Sequence, residues 1–272
     1  MILYFKKIIV AIRCFRALPA YLKFLNRRLF VSKPLDKNEP SDSEMLKIID
    51  PNLLFLNNRS LKNHSNGYWY IDPSINLNDL NDYYTQAYWK DFKKGIYHNV
   101  NLRDLDHYNL IIKYSNGYFD SKRTILNFGS GHLGCSFLFY FSGHKVINFD
   151  LEPANTHLIK SSDDWINIKN LDELNFEIDF LYSSHSLEHV QSVSFFENNF
   201  FSKIKPGGHL FFEVPNEKKE SVKIHIPHTY YFRKDYFNHL KFNKILCETY
   251  NNDKFPNKKT SNGDVIRYLA KK

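Results

Sequence analysis

The sequence predicts an α/β fold: a seven-stranded, mostly parallel sheet with helices on both faces, preceded by an N-terminal helical accessory region. Three observations predict it. After Lys122, short apolar runs alternate with helical stretches, the pattern of a doubly wound sheet. The first run is followed by a loop whose glycines, Gly129, Gly131 and Gly134, stand at GxGxxG spacing. The second run ends in an acid, Asp150, 21 residues after Gly129.

Taken in order, residues 1–32 read as one or two helices broken near Pro19. Ile8, Ile9, Ile12, Phe15, Leu18, Leu22 and Leu25 approximate one apolar face, with basic residues largely elsewhere. Such a helix suits the interface of an anionic membrane, apolar side down and Lys/Arg near the headgroups. It equally suits packing on the protein's own core or on a twin subunit in a homodimer. Its longest uninterrupted apolar stretch, Ile8 to Ile12, is too short to span a bilayer or to form a secretory core. Lys33 to Asp42 is a polar, proline-containing connector. An accessory segment then runs to residue 120. It holds a turn-rich piece at Asn63–Pro73, an aromatic helical stretch at Asn81–Lys94 with Tyr83, Tyr84, Tyr88 and Trp89, and a helix at about Leu102–Tyr114 that stops at Asn116-Gly117. The expected division is therefore 1–35, 36–120 and 121–272.

Within the last unit the expected strands are Thr124–Phe128, Lys145–Asp150, Trp165–Ile168, Asp179–Ser183, Gly208–Val214, Lys244–Thr249 and Val265–Ala270. A chain of 272 residues that is 43% hydrophobic has ample material for this core. Its formal charge of +8 could suggest a nucleic-acid partner. However, the first 35 residues hold eight Lys/Arg and no acid, which leaves the remainder close to neutral, so charge does not support a nucleic-acid groove. Cys14, Cys135 and Cys247 form no CxxC pair, which suits a reducing cytoplasm and argues against a disulfide or cysteine-rich zinc scaffold.

Glycines between a buried strand and a helix allow a tight turn and a close backbone approach to a ligand at the helix N-terminus. An acid ending the second strand can accept hydrogen bonds from ribose hydroxyls. Together they fit a nicotinamide dinucleotide as well as S-adenosylmethionine, and the loop alone does not separate the two. Later segments do. The run from Phe176 to Val190, with Asp179 opening a strand and Leu187-Glu188-His189-Val190 beginning a helix, resembles the fourth-strand motif of class I S-adenosylmethionine-dependent methyltransferases, in particular their type 11/23 branch. Ile204-Lys205-Pro206-Gly207-Gly208 resembles the turn into that family's fifth strand. His228 to Phe237 resembles its histidine followed by a helix start. The resemblance covers roughly residues 124–272 and implies a Rossmann-like domain using S-adenosylmethionine as cofactor.

Carried over residue by residue, the resemblance implies that Gly129 and Gly131 approach the amino-acid part of the cofactor and that Asp150 takes its ribose. Asn170 or Asp172 falls where adenine is contacted, and Ser183, Ser184 and His185 border the methyl-donor pocket. Asn127 stands where the family usually has Asp or Glu; it can accept a hydrogen bond but lacks the charge that would partner a methionine ammonium. His185 or His189 is read as a general base, with His225 and His228 as second candidates. Bracing of the helix is the plainer role for Glu188 and His189. Arg103 and Lys122 are candidates for meeting a substrate phosphate, with solvation as the default.

His185-Ser-Leu-Glu-His189 also matches HxxEH, which on a helix would place both histidines on one face for zinc. That reading leaves the glycine loop and the Lys-Pro-Gly-Gly turn unexplained, so no metal is expected. The resemblance implies transfer of a methyl group to a small acceptor. The favoured acceptor is an oxygen of a nucleotide- or lipid-linked sugar in polysaccharide biosynthesis. The setting expected is cytoplasmic, with peripheral contact at the inner membrane face through residues 1–32. The alternative is a catalytically silent, partner-binding relative, which Asn127 keeps open.

Overall fold

The structure, a computed structural model, describes residues 60–72, 100–151, 159–217, 228–252 and 257–272. The basic N-terminal segment, the connector and the aromatic stretch Asn81–Lys94 lie outside the described residues. Among the described residues no helix is long and apolar enough to cross a membrane.

Seven strands form one sheet: β3 (Thr124–Phe128), β4 (Lys145–Phe149), β5 (Trp165–Ile168), β6 (Ile178–Ser184), β7 (Ile204–Pro215), β9 (Asn243–Tyr250) and β10 (Val265–Lys271). Their order across the sheet is β5-β4-β3-β6-β7-β10-β9. The first five run parallel, while β10 pairs antiparallel with both β7 and β9. The fold class and all seven expected strands are present, with ends differing by up to four residues.

Strand alternation sends neighbouring residues to opposite faces, and the sheet therefore buries two apolar layers. Ile125, Phe180, Tyr182, Phe211 and Leu269 pack into one cluster with Ile111 and Phe139. Leu126, Leu181, Phe212 and Tyr268 pack into the other with Phe196 and Phe200. Each fully buried Leu, Ile or Phe contributes about 1.5–3 kcal/mol, so these layers dominate the stability of the sheet. Asp179 clamps the amino ends of β3, β6 and β7, away from the glycine loop: its Oδ2 accepts from Thr124 N at 2.7 Å and its Oδ1 from Lys205 Nζ at 3.0 Å.

Helix α1 (Leu102–Tyr114) begins with a reciprocal cap. Asn101 Oδ1 accepts from Asp104 N, and Asp104 Oδ2 accepts from Asn101 N. The helix ends before Asn116 and Gly117, both at positive φ, as the sequence suggests. Helix α2 (Gly134–Phe141) follows the glycine loop and packs beside α1. Short helices α3 (Val193–Phe196) and α4 (Lys234–His239) follow β6 and β8 (Tyr230–Phe232), respectively.

Two expectations need correction. Of the turn-rich piece at Asn63–Pro73, the described residues, to Asp72, belong to a β-hairpin: β1 (Ser60–His64) and β2 (Tyr68–Asp72) pair antiparallel around a turn at Gly67, whose φ is +88°. Strand β8 (Tyr230–Phe232) adds to β2, giving a separate three-stranded sheet. The alternating aromatics Tyr68 and Tyr70 bury one face of it against Tyr230, Phe232 and Tyr236. The stretch Leu187–His189 also does not begin a helix. It is a single 3-10 turn, and α3 starts later, capped by Ser192 Oγ accepting from Phe195 N at 3.0 Å.

Candidate active site

The glycine loop is shaped by positive φ angles at Gly129 (+69°) and Gly131 (+51°). The amides of Gly129 and Ser130 both donate to Phe149 O, and Gly131 N donates to Asp150 Oδ2 at 2.9 Å. Asp150 thus shapes the loop as well as facing the space beside it. A Cβ on Gly129 would lie 1.9 Å from Ser186 Oγ, so the loop can approach the end of β6 only with glycine there.

Beneath the loop lies a buried relay of neutral side chains. Asn127 Nδ2 donates to Ser136 Oγ at 2.7 Å, Ser136 Oγ donates to Asn148 Oδ1, and Asn148 Nδ2 donates to Asn167 Oδ1 at 3.0 Å. The relay runs one way only. Because Asn148 gives its amide hydrogens to Asn167, its oxygen must receive the Ser136 hydroxyl, and Ser136 must in turn receive from Asn127. Asn127 Oδ1 is left buried with no hydrogen-bond partner, on a residue that lines the adjoining cavity. An aspartate could not donate to Ser136, which gives a physical reason for asparagine at this position.

That cavity, about 650 Å³, opens at the carboxyl ends of the parallel strands. Its walls include Asn127, Gly129, Gly131, Asp150, Asn170, Asp172, Ser184, His185 and His189, nearly all the residues singled out in the sequence. Ser183 is not among them: the alternation that presents Tyr182 and Ser184 to the cavity turns Ser183 away, and it is buried. Arg103 lines the cavity, whereas Lys122 is engaged by Asp164 at 2.6 Å on the exposed surface. His228 stands behind His189, ring centroids 4.7 Å apart, and His225 lies outside the described residues.

The opposite wall carries charge. Glu213, fully buried near the carboxyl end of β7, binds His107 Nε2 at 2.6 Å and Arg267 Nε at 2.7 Å through one oxygen. Its other oxygen faces His185 Nε2 at 3.2 Å. His107 also bonds the Tyr182 hydroxyl at 2.8 Å, and Arg267 NH1 reaches Asp106 Oδ2 at 2.7 Å. This hub ties α1 to β6, β7 and β10. Burial opposes the ionised carboxyl, but His107 and His185 outweigh it and hold Glu213 well below the usual carboxylate range.

His185 sits between two carboxylates, with Glu188 Oε1 3.3 Å from its Nδ1, and its φ of +51° places it in the left-handed region. Burial alone would lower its pKa; Glu188 and Glu213 reverse this and hold it at about 9. Glu188 is pulled down to about 2, burial being overcome by His185 and His189. Glu217 is raised to about 7 by burial and by the negative charge of Glu188.

The 3-10 turn undoes the helical HxxEH geometry, since His185 and His189 no longer share a helix face. A different histidine joins the turn. Thr229 N and Oγ1 donate to Glu188 O at 2.8 and 3.1 Å, and Thr229 Oγ1 also donates to Val190 O, which fixes His228 beside Glu188 and His189. Glu213, His107 and Arg267 were not singled out in the sequence. A signal was present: Glu213 and Arg267 each interrupt an otherwise apolar strand, where a charge is tolerable only with a buried partner.

A family model described as a methyltransferase domain matches residues 96–247, more than half of the 272 residues. No curated protein matches. Among solved structures, 1,6-didemethyltoxoflavin-N1-methyltransferase from Burkholderia thailandensis, holding 1,6-didemethyltoxoflavin and S-adenosylhomocysteine, is 12% identical. It covers 84% of this chain and 99% of its own, with a TM-score of 0.55. That likeness shows the fold. An S-adenosylmethionine-dependent methyltransferase from Archaeoglobus fulgidus is 18% identical over 70% of this chain and all of its own, with a TM-score of 0.45.

Proposed function

Because this chain belongs to the methyltransferase-domain family, as a class I S-adenosylmethionine-dependent methyltransferase, we propose that it methylates a hydroxyl oxygen of a small acceptor, a nucleotide- or lipid-linked sugar. The observation that carries the oxygen acceptor is the polar wall of His185 and His189, backed by buried Glu188 and Glu213, on the same cavity as the glycine loop. A hydroxyl must lose a proton as it gains a methyl group, and a wall of imidazoles and carboxylates suits that exchange.

The residues present fit the cofactor. The partnerless Asn127 Oδ1 offers an acceptor for the methionine ammonium, and Arg103 on the cavity wall offers a cation for its carboxylate. Gly129 and Gly131 admit the amino-acid portion closely, Asp150 takes the ribose, Asn170 and Asp172 flank the base, and Ser184 borders the transferring methyl. When bound, S-adenosylmethionine supplies an electrophilic sulfonium methyl. In the overall transfer the acceptor O–H bond breaks, an O–C bond forms, and the C–S bond breaks with its electron pair staying on sulfur, releasing one proton.

The three candidate histidines divide the work. His185, already a cation at neutral pH, orients the acceptor oxygen by donating a hydrogen bond. His189 on the wall, with His228 behind it, is the side on which the hydroxyl proton is lost. The basic segment 1–35 supports a setting at the cytoplasmic membrane face, where a lipid-linked sugar is presented. The silent-subunit reading rested on Asn127, and the relay beneath the loop weakens it.

The test is calorimetry with S-adenosylhomocysteine followed by S-adenosylhomocysteine release across hydroxyl, amine and carbon acceptors. Binding with turnover on hydroxyl sugars is expected. Binding with turnover only on amines or carbons would overturn the acceptor, and absence of binding would overturn the enzyme.

A further inference from the structure

We propose that Glu188, His189 and His228 form a binding site for a borderline divalent cation of the zinc type, with its open coordination positions turned toward the cavity. One ligand atom from each of the three residues lies within 4.8 Å of the others. Glu188 is 1% exposed, and neither of its carboxylate oxygens accepts a hydrogen bond of good geometry. A carboxylate buried in this way is costly unless a positive charge is close. His185 Nδ1 at 3.3 Å and His189 Nε2 at 3.9 Å are its nearest recorded partners.

The fold holds the three donors together without help from an ion. Glu188 and His189 are adjacent on the 3-10 turn, and Thr229 pins its neighbour His228 to that turn through backbone and hydroxyl bonds to Glu188 O. Metal–nitrogen and metal–oxygen bonds of about 2.0–2.2 Å need donors about 3–3.5 Å apart, so side-chain adjustments of about an ångström would close the site. Two imidazoles with one carboxylate favour zinc, cobalt or ferrous iron over magnesium, which prefers an all-oxygen, water-rich shell. Three protein ligands leave positions for exogenous oxygen. Of the three donors His189 lines the cavity, so an open position beside it would be within reach of an acceptor there.

The site differs from the helical HxxEH arrangement the sequence suggested, because His228 replaces His185 as the second histidine. Its role rests on the oxygen-acceptor reading: an acceptor hydroxyl coordinated there would ionise more easily, its proton leaving to water, before it meets the methyl group. Binding of the ion itself does not depend on that reading.

The experiment uses the tag-free full chain, stripped with chelator and titrated with Co²⁺, Zn²⁺ and Mg²⁺. The readouts are visible absorption for Co²⁺ and equilibrium dialysis with elemental analysis for all three. One Co²⁺ or Zn²⁺ per chain is expected, with affinity at least about ten-fold weaker in Glu188→Gln and in His228→Ala, and unchanged in His239→Ala at the exposed end of α4. Circular dichroism confirms folding of each variant, and the two ligand variants are independent, so loss of one to misfolding leaves the other. No stoichiometric ion on the wild type, or equal binding by both folded ligand variants, overturns the site. Metal binding together with transfer to hydroxyls that persists undiminished in chelator overturns its role. Metal binding with turnover only on amines or carbons keeps the site and overturns the acceptor reading instead.

Discussion

The two halves of the cavity are built on opposite electrostatic principles. The proposed cofactor half rests on a neutral support beneath the glycine loop: an Asn-Ser-Asn-Asn relay in which each member satisfies the next and one acceptor is left for the ligand. The proposed acceptor half, at the ends of β6 and β7, concentrates Glu188, Glu213, His185 and Arg267 in a buried ion cluster, with His107, whose pKa burial lowers, bonded to Glu213. The first is made from residues within 41 positions of one another, Asn127 to Asn167. The second draws on residues from His107 to Arg267. A neutral relay can be tuned one bond at a time, whereas an ion cluster stands or falls as a unit.

The largest effect should come from breaking the charged half at its hub. Glu213→Ala removes the shared partner of His107 and Arg267, leaving the buried guanidinium with Asp106 as its remaining carboxylate, and is expected to cost about 3–5 kcal/mol in chemical denaturation. A loss below about 1 kcal/mol would show that the cluster does not act as a unit. Next comes a break confined to the neutral half. Gly129→Ala drives a methyl into Ser186 and strains a positive φ, so S-adenosylhomocysteine affinity should fall at least about ten-fold, or about 1.4 kcal/mol, by calorimetry.

A pH series sharpens the contrast further, since the Asn-Ser-Asn-Asn relay has no titratable member whereas His185 and Glu188 do titrate. The stability that His185 contributes is fully present below its ordinary pKa of 6.5 and is lost as pH rises through about 9. The contribution of Glu188 is present above 4.5 and disappears as pH falls toward 2. Thermal midpoints of the wild type should therefore decline between pH 7 and 10. His185→Gln should lack that component, and an identical decline in the variant would assign it elsewhere. The smallest effect is expected from Asn127→Asp. The carboxylate adds a charge for the methionine ammonium but cannot donate to Ser136, so cofactor affinity should rise by less than about ten-fold while stability falls by about 1 kcal/mol.

The same contrast explains what was legible in the sequence. The seven strands, the glycine loop and Asp150 could be read because periodicity and short spacings encode them locally. Asn127 was readable as a departure from an acid, but its role was not, because the relay depends on a serine in α2 and an asparagine in β4. The hairpin at residues 60–72 was read as turns because its partner strand lies some 160 residues on, at Tyr230. Leu187–His189 was expected to begin a helix, yet Thr229 takes its carbonyls from across the chain and leaves it one turn long. Ser183 and Ser184 share a strand end, and only the observed register shows which of them meets the cavity.

The small sheet has a consequence for exchange with solvent deuterium. Ile71 N donates to Thr229 O, and Thr229 N donates to Glu188 O, so two amides in series join the hairpin to the turn that carries Glu188 and His189. Opening of that turn must first release Thr229, and release of Thr229 removes the acceptor of Ile71. The amides of Ile71 and Thr229 should thus exchange as one cooperative unit, giving a clock for how often the wall that carries His189 opens.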